Sequence, residues 1–267
     1  HIKLVDGVTD AVTAKNKASE KFRWNENIAL AAWSNSYVLI GRANTAINII
    51  EGIDDAEFDD STSKGILIAE AKFLRAYMYS ILTSSFGDVP LVIGGDVDPT
   101  PVRAPLAEVV AQIKLDLTDA IAALPTSQGA EYGRATSGAA HTLMAKMYMR
   151  DAEWAKAKIE LDAVTSSGVY DLFGGFYGDL WLESNRKDNE FIFAILSHGE
   201  DYNNATNHHI KVFTPWGYDT GWDQNFGVAR GIFESMHPDD ERHSVIVNDL
   251  SDAYYGGIRN KESALAW

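Results

Sequence analysis

The chain has 267 residues, of which 46% are hydrophobic and 23% charged, the usage of an ordinary globular protein rather than of a disordered or fibrous one. Its 23 Lys and Arg against 38 Asp and Glu give a net charge of −15, which repels nucleic-acid phosphates and anionic membrane surfaces. Because the sequence has no cysteine and no apolar run of about 18 residues, it predicts no disulfide, no thiolate metal site and no membrane-spanning helix.

Five stretches in the first two thirds of the chain have the apolar spacing of amphipathic α-helices, bounded by polar caps or by Gly and Pro. The sequence predicts helices over 25–51, from the caps at 61–63 to about 86–87, over 106–124, from a cap at 136 or 137 to 148, and from 154 to an end at Gly168. In the fifth helix we expect an inward face formed by Trp154, Ala157, Leu161 and Val164. Only a few residues separate the fourth helix from the fifth, so these two are predicted to form an antiparallel pair.

The segment 88–105 has a different character. It contains four prolines and the pair Gly94-Gly95, and each proline removes a backbone donor and fixes φ. This predicts a structured connector without helix, in which Leu91-Val92-Ile93 can be extended.

Two helices share a short internal similarity. Residues 71–79 match 140–148 at five of nine positions, with an offset of 69 residues. That offset is close to twice the ~34-residue period of tetratricopeptide helix pairs, in which small and aromatic positions let neighbouring helices nest. Chance similarity between two amphipathic helices is the alternative.

From residue 170 the sequence becomes rich in Gly, Asn and aromatic residues, with one strand-like run at 191–196. We therefore expect a helical scaffold over 25–169 and a loop-rich, ligand-facing part over 170–267, together forming a single domain. Loops held by a rigid scaffold commonly carry binding residues.

The large aromatic residues fall into two sets. Those on helical stripes, Trp33, Phe73, Tyr148 and Trp154, are predicted to be core. The other set lies in Gly- or Asn-rich surroundings, where rings can stack on the C–H faces of sugars beside hydrogen-bonding side chains. These candidate ligand-binding residues are Trp24, Tyr202, Trp216, Tyr218 and Trp222. The alternative is that these rings only fix long loops to the helices.

The sequence contains no recognisable catalytic motif: it has no G-x-S-x-G turn, no phosphate-binding glycine loop and no H-E-x-x-H. Its histidines, including His208-His209, His237 and His243, lack the spacing of a metal site. We therefore predict a protein that is not an enzyme and binds neither metal nor cofactor. A hydrolase with paired carboxylates stays as the last alternative, because no spacing among the 38 acids selects a pair.

Several motifs together resemble the SusD/RagB family of Bacteroidetes outer-membrane nutrient-binding lipoproteins. The W-x3-Y-x2-I-x2-A-N spacing over 33–44 is similar to one family helix, and 69–77 followed by Phe-Gly-Asp-Val-Pro-Leu at 86–91 resembles the most distinctive block. Further similarities lie at Arg103, Asp116-Leu117, Leu124-Pro125, 133–136, Trp154 and 233–242.

This resemblance implies tetratricopeptide-like helix pairs that carry irregular loops, so that the fold is mainly α. It also implies a lipid-anchored protein on the outer face of the outer membrane, whose partner is a SusC-like TonB-dependent transporter. Members of the family are longer than 267 residues and carry a lipidated cysteine. We therefore expect this sequence to be an incomplete chain that lacks the N-terminal signal and the last helical pair.

Three arginines in the resembling motifs, Arg75, Arg134 and Arg242, are expected to tie structure together rather than contact ligand. Gly87, Asp88 and Pro90 together are expected to end a helix and redirect the chain.

The leading functional hypothesis is capture of oligosaccharides at the cell surface for delivery to the transporter. The alternatives are a peptide-capturing lipoprotein of the RagB type and a helical-repeat adaptor that binds another protein. Nucleic acid is excluded as a partner by the charge, and contact with the membrane is expected only through the lipid anchor.

Overall fold

The computed structural model describes residues 12–14, 26–58, 63–94, 100–127, 129, 131–195, 226–228 and 234–242. Within them lie five α-helices: α1 (Glu26–Glu51), α2 (Ser63–Phe86), α3 (Leu106–Ala123), α4 (Ser137–Arg150) and α5 (Trp154–Ser166). Two short strands, β1 (Val12–Ala14) and β2 (Phe226–Val228), pair antiparallel with Val12 opposite Val228. Residues 31–173 and 187–194 form one compact unit, which contains most of the helical scaffold, and the other described residues belong to a second unit. The mainly helical fold and the five helices predicted from periodicity are confirmed.

The helix ends follow from local chemistry. Gly87 adopts φ +69° directly after α2, a left-handed conformation that L side chains rarely adopt. Asp88 Oδ1 accepts a hydrogen bond from the Leu106 amide at 2.8 Å, at the first turn of α3. At the start of α4, Thr136 Oγ1 accepts a hydrogen bond from the Ala139 amide at 3.2 Å. This amide lies in the first turn, where the helix itself offers no carbonyl partner. Asp88 thus provides an acceptor for an amide at the start of α3.

The core lies between α2, α3 and α4, with α1 packed over it. Fully buried side chains include Phe73, Tyr79, Ile113 and Leu117. Trp33 of α1 meets Phe86 edge to face, with ring centroids 5.2 Å apart, a geometry that aromatic rings favour. Large rings therefore fill the space between α1 and α2.

The connector between α2 and α3 is held by side chains of the two preceding helices. Tyr37 Oη donates to the Pro90 carbonyl at 2.7 Å, and Asn44 Nδ2 donates to the Val92 carbonyl at 2.9 Å. Tyr79 Oη donates to the same Val92 carbonyl at 3.0 Å and accepts from the Val92 amide at 2.7 Å. Burial raises the pKa of Tyr79 to about 12, so its hydroxyl remains a donor at neutral pH. These bonds satisfy carbonyl groups of the connector that have no helical partner.

The internal similarity corresponds to consecutive helix pairs, α2 with α3 and α4 with α5. The matched positions Lys72 and His141 each contact an acidic side chain on the second helix of their own pair. Lys72 Nζ lies 2.6 Å from Asp119 Oδ2, and His141 Nδ1 lies 2.6 Å from Glu160 Oε2. The offset of 69 residues is therefore one step of the repeat, lengthened by the connector, and not two.

Two local predictions are wrong. Phe191–Ile195 form bends and coil rather than a strand, since the Phe191 amide bonds the Asp188 carbonyl in a turn and Ile192 and Phe193 pack on the helical core. An apolar run of this length cannot by itself distinguish a strand from another buried segment.

The predicted inward face of α5 is only half right. Ala157 and Val164 are buried, but Trp154 is 63% exposed and Leu161 41% exposed. At 3.6 residues per turn, the exposed pair lies about 40–80° around the helix from the buried pair, so small side chains face α4 and the large ones face away. Phe73 is core as predicted, and Trp33 and Tyr148 are partly buried against the core.

Candidate ligand pocket

A pocket of about 170 Å³ lies within the unit formed by 31–173 and 187–194. Its walls come from the connection between α3 and α4, from the residues that follow α5, and from the segment 187–194. Its lining residues with hydroxyl or amide side chains are Thr126, Ser127, Tyr132, Thr136, Tyr170 and Asn189. The lining also includes two phenylalanines, Phe191 and Phe193, and three charged residues, Arg134, Lys187 and Asp188. Mixed apolar and polar lining of this kind is typical of small-molecule sites.

Arg134 lines the pocket, and its positive charge is neutralised by two glutamates. Its Nε and Nη2 donate to the two carboxylate oxygens of Glu70 on α2, at 2.8 and 2.7 Å, and Nη1 donates to Glu131. Hydrogen bonds to Glu70 and then to Glu131 stabilise the guanidinium and raise the pKa of Arg134 above its ordinary value. The prediction that Arg134 ties structure together is confirmed, because it fixes this loop to α2.

Tyr170 lies across the first turn of α4. Its hydroxyl is 2.7 Å from Thr136 Oγ1, the atom that caps the helix. A Cβ atom at Gly138 would come within 2.3 Å of the Tyr170 ring, so only glycine leaves room for the ring at this position. The helix start and the pocket wall are therefore one packed arrangement.

Tyr132 brings a hydroxyl group that has no hydrogen-bond partner among the described residues, although its oxygen is buried. Burial raises the pKa of Tyr132, and the nearby negative charge of Asp188 raises it further. The neutral hydroxyl is thus maintained at physiological pH, and both its donor and its acceptor capacity remain unused.

The segment 187–194 is fixed to the scaffold by aromatic packing. The Phe193 ring lies edge to face with Phe73 of α2, with centroids 5.1 Å apart, and 6.1 Å from the Tyr77 ring. Asp188 Oδ1 accepts from the Glu190 amide at 2.9 Å, which closes the turn ahead of the rings. This wall is preorganised by contacts with the core rather than by a sheet.

The sequence-predicted ligand residues Trp24, Tyr202, Trp216, Tyr218 and Trp222 all lie outside the described residues. They stay a prediction. The pocket residues were not predicted as a site. Two features of the sequence lie at the pocket: the turn-forming glycines Gly129 and Gly133, and the apolar run at 191–196 that was predicted to be strand-like.

Two further features of the described part concern ions and membranes. No group of three or more His, Asp or Glu side chains converges there as metal ligands would. His237, one of the histidines considered in the sequence analysis, is exposed, and its Nδ1 lies 3.7 Å from Asp239 Oδ2. Among the helices that the structure describes, none is both long and apolar enough to cross a bilayer.

Consecutive helix pairs that share a core and leave a mixed polar and aromatic pocket define a helical-repeat binding scaffold. A family model described as SusD-like, "starch-binding associating with outer membrane", matches residues 4–149. The chain belongs to this SusD-like family.

Individual relatives of known sequence or structure support the same family assignment. A SusD-like protein of Bacteroides ovatus is 32% identical over 188 residues, which is 64% of this chain and 33% of that protein. A SusD superfamily structure from Parabacteroides distasonis superposes with a TM-score of 0.79 at 25% identity, over 91% of this chain and 55% of that one. A structure titled as a laminarin-binding SusD-like protein has a TM-score of 0.64 at 26% identity, over 72% of this chain and 45% of that one. The chain therefore spans about a third of the length of the curated relatives it matches.

Proposed function

We propose that this chain is part of a cell-surface protein that captures oligosaccharides and delivers them to a SusC-like TonB-dependent transporter in the outer membrane. The observation that carries the proposal is the family match over residues 4–149, on a scaffold whose helix pairs superpose on SusD-like structures. The likeness to a laminarin-binding protein at 26% identity supports a carbohydrate as the ligand.

The physical features of the chain suit a neutral carbohydrate. A net charge of −15 disfavours anionic polymers, and uncharged sugars do not feel this field. Stacking of sugar faces on rings and a small number of hydrogen bonds give affinities in the micromolar range, about −8 kcal/mol or weaker. We further propose that the protein acts without catalysis, and that a lipid anchor, rather than a spanning helix, holds it at the outer face of the membrane.

Calorimetry on the full-length protein tests the proposal with malto-, laminari- and xyloglucan oligosaccharides. We expect binding of at least one series, and a loss of affinity of about tenfold or more in Trp216→Ala and Trp222→Ala, since each removes a stacking ring. Trp154→Ala is the matched control, because Trp154 is a tryptophan exposed on α5 and is not one of the predicted ligand residues. Its affinity should equal that of the wild type.

Two other results would redirect the assignment. Binding of peptides with no response to any glycan would favour capture of peptides. Retention of a protein partner by variants of both tryptophans, again without sugar binding, would favour an adaptor. Turnover of a bound sugar would contradict the non-enzymatic proposal.

A further inference from the structure

We infer that the outer face of α1 is an interface, on which a helix from the remainder of the full-length polypeptide packs. The face is defined by Leu30, Val38, Leu39 and Ile49, which are 44–60% exposed within the described residues. The inference concerns how the scaffold is completed and does not depend on the nature of the ligand.

The two sides of α1 differ in what they contact. Ile40, Ala43 and Ile47 on the inner side are buried in the scaffold. At 3.6 residues per turn, Val38 and Ile49 lie about 120–180° around the helix from these three residues, so they face away from the core. Their exposure shows that the part of the chain that the structure describes does not cover them.

The outer face of α1 is poor in charge. Arg42 is the only charged residue between the two ends of this helix, in a chain that is 23% charged. The contrast is α5, whose exposed surface carries the ion pair of Lys158 with Asp162. Exposed helix faces are normally polar or charged, and an apolar patch on them marks a contact site. We therefore expect a covering partner on α1 and water at the charged surface of α5.

The polar groups of this face tolerate a cover. Thr45 lies between Val38 and Ile49 on the same side of the helix, and its Oγ1 donates to the Gly41 carbonyl at 2.9 Å. Because this hydroxyl already has a partner, its burial leaves no unpaired donor. Arg42 lies about 40° around the helix from Val38, and its long side chain can keep the charge in water at the edge of the contact.

The length of the relatives indicates the source of the covering helix. The chain spans about a third of the length of the curated relatives it matches, so most of such a polypeptide lies outside it. Leu30 and Ile49 are about 28 Å apart along the axis of α1. An apolar face of that length suits an amphipathic helix that lies along α1, with its own apolar side inward.

Cysteine accessibility in the purified full-length protein tests whether this face is covered. The chain has no cysteine, so Val38→Cys and Ile49→Cys each add one thiol to it. We expect both thiols to react with a soluble maleimide at least about tenfold more slowly than the thiol of Ile159→Cys, because a covered thiol reacts only when the structure opens locally. Ile159 on α5 is the matched control, since it is 66% exposed and Ile49 is 60% exposed within the described residues. Peptide mass spectrometry measures each rate, and urea-unfolded protein gives the reference rates.

Three results of the labelling would overturn the inference. Equal rates for Ile49→Cys and Ile159→Cys would show that this face is open to water in the full-length protein. Protection that is lost on dilution would assign the face to a second copy of the protein. Protection that appears only in complex with the transporter would assign it to that partner.

Photo-crosslinking identifies the covering segment. A diazirine-bearing residue in place of Val38, illuminated in the full-length protein, should form cross-links to peptides outside the 267 residues of this chain. Cross-links to peptides within them, or no cross-link at all, would contradict the inference. If no glycan binds in calorimetry, the proposed function fails while this inference stands, because it uses no property of the ligand pocket.

Discussion

Arg75 is a buried charge on which three segments of the scaffold converge. Its side chain is 6% exposed and that of Asp116 is 2% exposed. The guanidinium binds the Asp116 carboxylate through two bonds of 2.8 and 2.6 Å, and its Nη1 donates to Asn44 of α1 at 2.8 Å. One arginine of α2 thereby links α1 and α3, so its removal affects the packing of all three helices.

Replacement of Asp116 by asparagine should strongly destabilise this unit. The variant leaves the buried guanidinium without its counter-charge, which typically costs about 3–5 kcal/mol. Urea unfolding followed by far-UV circular dichroism measures the change. Asp162→Asn is the control: Asp162 pairs with Lys158 on the exposed surface of α5, and such pairs contribute about 0–1 kcal/mol.

A double variant distinguishes the charge from the packing. Arg75→Met together with Asp116→Leu removes both charges and retains apolar volume, so we expect it to be more stable than Asp116→Asn alone. Equal destabilisation of the double and the single variant would contradict the assignment of the cost to the unpaired charge of Arg75.

At the scale of single residues, the sequence indicates which side chains must form a hydrogen bond or an ion pair, but not which residues they bind. A charged residue among apolar neighbours must be satisfied, and this requirement identified Arg75 as structural. Its partner Asp116 lies 41 residues away and was one of 38 acids, so spacing alone could not select it. The same limit explains why the unpartnered hydroxyl of Tyr132 was not foreseen.

The helices were predictable as elements because period, caps and terminators agree for each of them. The connector was predictable only as an absence of helix. Its actual form depends on side chains of α1 and α2 that bind its carbonyl groups, and no local pattern encodes those contacts. The strand prediction at 191–195 was wrong for the same reason. The apolar side chains of this run pack against Phe73, and the run does not pair with a strand.

Gly138→Ala tests whether the start of α4 and the Tyr170 wall are one arrangement. The new Cβ would overlap the Tyr170 ring, so the ring must move and its bond to Thr136 is lost. We expect a loss of about 1–3 kcal/mol in unfolding free energy. Gly41→Ala in α1 is the matched control: nothing lies within 4 Å of the added Cβ, and better helix propensity should stabilise by about 0.5–1 kcal/mol.

The cause of the destabilisation can be checked with Tyr170→Ala. When the ring is absent, Gly138→Ala should cause no further loss, so the two changes would be far from additive. Additive effects would contradict the assignment of the cost to the clash.

At the scale of the molecule, the main buried cluster among the described residues lies inside the unit formed by 31–173 and 187–194. Its members come from all of the helices α1 to α4, and Ile192 and Phe193 of the short segment 187–194 pack against it. A segment distant in sequence thus completes a core that the helices begin. The resemblance of motifs predicted this scaffold, but not that residues beyond 173 belong to it.

A pair of fragments tests this division. Residues 26–195 contain the complete helical unit and should unfold cooperatively in urea, with an m-value of about 1–3 kcal/mol/M. Residues 26–173 lack Ile192 and Phe193 and should be less stable by about 3 kcal/mol, since a lost aromatic anchor leaves Phe73 and Tyr77 exposed to water.

Phe193→Ala within 26–195 separates the ring from the rest of the segment and should reproduce most of that loss. If both fragments are equally stable, the segment 187–194 adds nothing to the core and the pocket has no fixed third wall. If neither fragment unfolds cooperatively, the helices depend on residues outside this unit, because a complete core of this size is sufficient for two-state unfolding.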